Sequence, residues 1–397
     1  MRFKSAVNRR KRRRRLEDCQ LPCTHFVATG AVGSISLWLW LLHRAISYDP
    51  AIPEAHKVPS NLLPSPIFPV DVTNTMVLSQ TLANTPCHSK APLTLTWQSN
   101  QHPQNQDRAF HYPSFPNNQL SRDEPSFLVG MFDGHGRDGH IMAAFVVNHF
   151  ATVLVQKLNS RTCCQSDDWI KSVLSESFIE MENLAVKEAR TRDFAFTGGC
   201  TASVTLRLGD RLFVANAGDS RTMLASDFEV TGNKGDPYRS TIRFTSRMDK
   251  ADLPEEKARI EALGGKIHIP PSEKRLTSRV VLYSTHSKDS VGLAMSRSLG
   301  DHEWTAVGVI PEPLVDTIRL DTDGGDRPYL IVASDGLWDC RARRPQFFAK
   351  QIGAILFNDI NTSVSQATAE LVELIKQITP QQPQWYRDDI TLIAFPL

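Results

Sequence analysis

The sequence predicts an α+β domain behind an N-terminal extension, and three observations carry that prediction. From residue 93 onward, short apolar runs of strand length alternate with segments of helical periodicity. Asp-Gly and Gly-Asp pairs, which supply turn chemistry, separate the runs. The first 92 residues show no such alternation: they hold a basic run, one long uncharged run and a proline-rich stretch.

At 397 residues, with 41% hydrophobic and 22% charged, the chain has the make-up of a folded protein with a sizeable core, which excludes wholesale disorder. The formal net charge is +2, and the excess sits in "RRKRRRR" at Arg9 to Arg15, so the body carries no basic signature for nucleic acid. Seven cysteines, at 19, 23, 87, 163, 164, 200 and 340, are odd in number and form no CxxC pair. They fit neither a disulfide framework nor a zinc site and point to a reducing compartment.

In order, residues 1–25 form a basic tail and residues 26–46 a candidate transmembrane or targeting helix. Phe26 to Leu42 carries no charge, long enough for a thin hydrocarbon core. The positive-inside rule would hold Arg9 to Arg15 in the cytosol and send the body across the membrane, against the cysteine reading. An Arg-rich start equally suits mitochondrial or nuclear targeting, and Cys19 or Cys23 is placed for palmitoylation. Residues 47–92 read as a proline-rich linker, and residues 93–397 as the folded domain.

Within that domain "TLTW" and "SFLVGMF" predict strands, and residues 137–158 and 168–190 predict helices. In the second helix Ile170, Leu174, Phe178, Met181 and Ala185 recur at helical spacing and belong to the core. "TASVTLRL", "RLFVANAG", "YLIVASDGLWD" and "DITLIAF" predict further strands. Asp252, with Glu255 three residues on, reads as the cap of a helix that Gly264 and Gly265 stop.

Four separated segments each deliver an acid beside an apolar strand: Asp107 in "NQDRAF", Asp133 in "GMFDGHG", Asp335 with Asp339 in "VASDGLWD", and Asp388 with Asp389 in "YRDDITL". One such aspartate is ordinarily a turn residue or a cap. Four gathered at one end of a sheet would repel one another unless a cation neutralised them, and Mg²⁺ or Mn²⁺ takes oxygen ligands. Two such ions would activate water against a phosphoryl group.

"FLVGMFDGHG", "GGCTASV", "VANAGDSR", "LAMSRSLGD", "LIVASDGLWD" and "RDDITLIAF", in this order, resemble the protein phosphatase 2C family of metal-dependent serine/threonine phosphatases. The resemblance covers roughly residues 93–397 and implies a four-layer αββα sandwich of two antiparallel sheets flanked by helices, with a two-metal cleft at one end. It implies that Asp133 bridges two Mg²⁺ or Mn²⁺ ions, that the Gly134 carbonyl ligates one, and that Asp335 and Asp388 complete a site. Asp107 serves the first acidic motif, and Gln106 stands where many relatives place a glutamate. Asp339 and Asp389 are additional candidates. The implied reaction is attack of a metal-bound hydroxide on phosphoserine or phosphothreonine, with His135 protonating the leaving oxygen. By the same resemblance Asp219 in "AGDSR" is a structural turn acid outside the metal set.

Three departures bear on function. His102 occupies the place where some relatives carry a phosphate-gripping arginine, and Arg108 is the available substitute. Phe196 replaces an aspartate that helps to hold a third ion in some relatives, which argues against a third ion. Residues 272–290 form a long basic insertion ahead of "LAMSRSLGD". The expected partners are phosphorylated proteins and, through the N-terminal segment, a membrane; the expected state is a monomer that binds no nucleic acid. The rival reading is a pseudophosphatase acting as a membrane-tethered phosphoprotein scaffold, against which the retained acids argue.

Overall fold

The structure is a computed structural model that describes residues 93–97, 104–115, 125–160, 166–191, 197–229, 238–245, 249–271, 277–283, 290–320, 327–339, 345–357, 364–378 and 388–397. The basic tail, the candidate membrane helix, the linker, His102 and Phe196 all lie outside the described residues.

In chain order the elements are β1 (Leu93–Trp97), β2 (Arg108–Tyr112), β3 (Ser126–Phe132), β4 (Gly134–Gly136), α1 (Gly139–Leu158), α2 (Asp167–Thr191), β5 (Gly198–Cys200), β6 (Ala202–Leu208), β7 (Arg211–Ala217), β8 (Arg221–Glu229) and β9 (Tyr238–Phe244). There follow α3 (Pro254–Ala262), β10 (Lys266–His268), β11 (Arg279–Tyr283), β12 (Ser290–Leu293), β13 (Leu299–Gly300), α4 (His302–Thr305), β14 (Leu314–Arg319), β15 (Arg327–Ala333), α5 (Asp335–Trp338), α6 (Pro345–Phe357), α7 (Val364–Ile378) and β16 (Ile390–Pro396). Two five-stranded sheets run in the orders β1-β16-β15-β8-β9 and β14-β7-β6-β3-β2, and every pairing in them is antiparallel.

The long strands are buried on both faces because each face meets a different layer. Along β6, Ala202, Val204, Leu206 and Leu208 share a cluster with Val146 and Phe150 of α1 and Phe178 of α2. The alternate residues Ser203 and Thr205 meet Thr222 of β8, in the other sheet, at 3.1 and 3.3 Å. Along β15, Tyr329, Ile331 and Ala333 pack with Phe348 and Ile352 of α6 and Leu371 of α7. Its alternate residues Leu330 and Val332 join Val129 and Met131 of β3 in a cluster between the sheets. Helix α1 is long and apolar enough to cross a bilayer by length and composition, but more than half of that stretch is buried in the protein. Its apolarity belongs to the core of this layer.

Two local expectations change. "YLIVASDGLWD" is not one strand: β15 stops at Ala333, and Asp335 opens the short helix α5. Asp252 does not cap α3; Leu253 holds the cap position, and Asp252 Oδ1 instead accepts from Ser278 Oγ at 2.6 Å. Pro254 at the first helical position has a fixed φ and no N–H to satisfy, so the helix starts there without a side-chain cap. The insertion 272–290 contains the ordered strand β11, which pairs with β10 and β12.

Candidate active site

Antiparallel pairing explains why distant acids meet, since a strand begins where its neighbour ends. Arg108 at the start of β2 stands opposite Phe132 at the end of β3, which brings Asp107 beside Asp133. Ala333 at the end of β15 stands opposite Leu392 near the start of β16, which brings Asp335 toward Asp388 and Asp389. The turn from β7 to β8 passes between the sheets and carries Asp219. Asp133, His135, Asp219, Asp335, Asp388 and Asp389 line one cleft of about 550 Å³.

The cleft is electrostatically costly as it stands. Burial, then the nearby Asp389, push Asp107 up to about 7, and hydroxyls of Thr391 and Ser334 offset this only in part. Asp133 is held well above the carboxylate range by burial and by Asp107, Asp335 and Asp388. Asp335 is raised likewise by burial, Asp219 and Asp388, against a partial relief from its hydrogen bond with Asp133. Burial and Asp339 raise Asp219 to about 6. Each effect has the same origin: a carboxylate away from water beside another carboxylate favours its proton.

Backbone contacts fix the acids in place. The Asp133 N–H donates to Thr201 Oγ1 at 3.1 Å, and the Thr201 N–H donates back to the Asp133 carbonyl at 2.8 Å. The Gln106 N–H donates to Asp389 Oδ2 at 2.8 Å. Gln106 Nε2 donates to the Gly136 carbonyl at 2.9 Å, which a glutamate at this place could not do. Gly134 is required by close packing: a Cβ there would lie 2.6 Å from the Gly139 carbonyl oxygen and 2.7 Å from that of Gln106.

Three expected residues stand outside the cleft lining. Arg108 Nη1 donates to the carbonyls of Asn105 and Asp107 at 2.9 and 2.7 Å, and the residue is absent from the cleft lining. Asp107 lies beneath the lining, 2% exposed, with Oδ2 accepting from Ser334 Oγ at 2.8 Å. Asp339 sits at the C-terminal end of α5, exposed, and also stands outside the lining.

Asp219 is a correction. It faces the cleft and acts electrically on Asp133 and Asp335, so it is more than a turn residue. "ANAGDSR" shows the same apolar-strand-then-acid pattern as the other four segments and was the available signal. Asp301, which also lines the cleft, is preceded by no such run, and only the fold reveals it.

The donors suit a hard divalent cation: they are all oxygens, they repel one another, and Asp107 Oδ1 is buried without a well-formed partner. Among the described residues no three ligating side chains already close on one point, so gripping an ion requires some side-chain rotation.

A cleft of clustered carboxylates at the ends of two packed antiparallel sheets presents the oxygen donors that suit a hard cation. The family model described as Protein phosphatase 2C matches residues 95–345. The chain is 34% identical over 245 residues to "Probable protein phosphatase 2C 41" of Arabidopsis thaliana, covering 59% of this chain and 64% of that one. It is 31% identical over 275 residues to "Probable protein phosphatase 2C 61" of the same plant, covering 69% and 76%. In fold it is similar to a serine-threonine phosphatase 2C from Toxoplasma gondii, with TM-score 0.57 and 18% identity over 81% of this chain and 99% of that one. It is similar also to a C. elegans sex determining protein, with TM-score 0.52 and 16% identity over 77% and 64%. The chain belongs to the protein phosphatase 2C family.

Proposed function

We propose that the chain is a metal-dependent protein serine/threonine phosphatase whose substrates are phosphorylated proteins. The observation that carries this reading is the set of mutually repelling carboxylates, Asp107 buried beneath one cleft and Asp133, Asp219 and Asp335 half-buried along it. A binding module has no physical use for such repulsion. The layering of helices, sheet, sheet and helices supports the αββα reading of the domain at 93–397.

Asp133, Asp335 and Asp388, with the Gly134 carbonyl, would hold two ions of Mg²⁺ or Mn²⁺, and Asp219 and Asp389 stand next to them. Bound there, the ions would cancel the carboxylate charge, polarise the phosphoryl group and make water nucleophilic at neutral pH. The chain itself supplies position and a proton. Thr201 and Gln106 fix the main chain that presents the acids. His135, at the cleft wall, gives its proton to the serine or threonine oxygen as the phosphorus–oxygen bond breaks. For His135 burial opposes the charged form, but the carboxylate of Asp301 and its hydrogen bond outweigh it, so the imidazole is held above its usual range and keeps a proton to give.

The test is hydrolysis of a phosphothreonine peptide by the full chain with Mn²⁺ and with a chelator. Turnover that depends on the metal supports the reading, and a folded chain that binds Mn²⁺ yet never releases phosphate rejects it. Residues 26–46 are proposed as a membrane anchor on the strength of their uncharged run behind Arg9 to Arg15. Full extraction of the chain from membranes by alkaline carbonate would dismiss that anchor.

A further inference from the structure

We infer that Asp301 is a positioning residue for the proposed phosphatase reaction: its carboxylate fixes the His135 imidazole that protonates the leaving oxygen. The inference rests on the phosphatase reading above.

The two residues lie 166 positions apart and are joined by the small sheet β13-β5-β4. In that sheet His135 of β4 and Gly300 of β13 both stand opposite Gly199 of β5, one on each side. Asp301 follows Gly300, and its Oδ2 lies 2.6 Å from His135 Nε2. An ionised carboxylate only accepts, so Nε2 carries the hydrogen of this bond. The other ring nitrogen, Nδ1, is buried, and a backbone hydrogen bond at Asp133 acts on the ring as well, so the imidazole is held from both sides.

Two neighbours make room for the Asp301 carboxylate and bind it. Ser298 Oγ donates to the same Oδ2 at 2.6 Å. A Cβ on Gly199 would fall 2.6 Å from that oxygen, so the bare glycine makes the space in which the pair meets. Asp301 is 1% exposed and has φ 51°, the one described non-glycine residue in the left-handed region. Gly300 before it has φ 83°, and its N–H donates to Glu182 Oε2 of α2 at 2.8 Å. A side chain held in an uncommon backbone conformation and buried against an imidazole marks a site where geometry was selected over ease of folding.

In the step itself the water oxygen bonds to phosphorus and the bond from phosphorus to the threonine oxygen breaks. That oxygen takes the imidazolium proton, and the proton given up by the water restores the imidazolium through solvent. Asp301 makes and breaks no covalent bond; it holds the ring in the orientation that the transfer needs.

The experiment compares two substrates with the full chain and Mn²⁺: a phosphothreonine peptide, whose alkoxide must be protonated to leave, and p-nitrophenyl phosphate, whose phenolate leaves without a proton. The variant is Asp301→Asn, because asparagine tolerates left-handed backbone and keeps the size of the side chain while losing the charge. The expected result is a fall in kcat on the order of tenfold or more for the peptide, a share of what general acids supply. The loss on the nitrophenyl ester should stay within about threefold, as that ester needs no general acid. Adding Asp301→Asn to His135→Ala should cost nothing further. Equal losses on both substrates, no loss on either, or additive losses in the double variant overturn the inference while leaving the phosphatase reading intact. A parent chain inactive on both substrates removes the phosphatase reading and this inference with it. Should Asp301→Asn not fold, Ser298→Ala decides by the same substrate split, because it removes a donor from the same oxygen.

Discussion

His111 and Asp107 lie four residues apart in and beside the same strand, β2, and both are 2% exposed, yet burial acts on them with opposite consequences. His111 sits between the two sheets, its ring 4.7 Å from that of Phe395 and 6.2 Å from that of Phe127. Burial lowers it to about 4, so it stays neutral in an apolar layer. Asp107 sits at the end of that layer among other acids and rises to about 7. In both places low dielectric disfavours charge. The difference is supply: the apolar layer needs no counter-ion, whereas the cleft accumulates acids that a cation alone reconciles.

The two regions therefore respond to pH with opposite signs. Between about 6.5 and 4 the unfolded state binds a proton at His111 that the folded state refuses, so acid removes stability there. Between 3.8 and about 7 the folded state holds a proton at Asp107 that the unfolded state has lost, so rising pH removes stability from the metal-free cleft.

The largest expected effect breaks the comparison at the cleft. Asp133→Asn should lower metal-dependent hydrolysis of a phosphothreonine peptide by a factor on the order of 10² or more, since it removes a charge from the reacting site. The same variant should unfold at a higher temperature than the parent in chelator at pH 8, because one repelling charge is gone. A variant with parental turnover takes Asp133 out of the chemistry.

Next in size is the apolar layer. Phe395→Ala should cost about 3–5 kcal/mol in urea unfolding, the usual range for a buried phenylalanine. It should leave the Kd for Mn²⁺ near the parental value, and a loss of metal affinity of comparable size would show that the layer and the cleft are not independent.

Mn²⁺ should then stabilise the parent by about 2.7 kcal/mol at a hundredfold excess over Kd. The shift in Tm should be larger at pH 8 than at pH 5, because protons compete with the cation for the raised carboxylates. A shift of equal size at both pH values would contradict the electrostatic account of the cleft.

The smallest effect at neutral pH belongs to His111→Phe, expected within about 1.5 kcal/mol of the parent because the exchange nearly conserves volume. Its value lies in the acid limb, where the fall in stability between pH 6.5 and 4 should flatten. An unchanged limb would mean that His111 is not its source.

Much of the site was legible. After Ser126 "SFLVGMF" has no polar side chain because β3 is covered on both faces, and the acid directly after it marks where that strand leaves the core. Asp107, Asp133, Asp335 and Asp388 were found by that pattern. It failed where a residue's role depends on a neighbour far along the chain. That Arg108 Nη1 donates to the carbonyls of Asn105 and Asp107 is visible only in the fold. The family resemblance places Asp219 outside the metal set, whereas its turn links the two sheets and faces the acids of the cleft.

By itself the sequence determined which segments are strands buried on both faces and which acids stand at their ends, because alternation and the change from apolar to charged are local properties of the chain. The tertiary structure alone decided which of those ends share a cleft, and that His135 and Asp301 meet across Gly199. Strand register and the packing of one sheet on another are set by contacts between distant residues, and no short stretch of sequence records them.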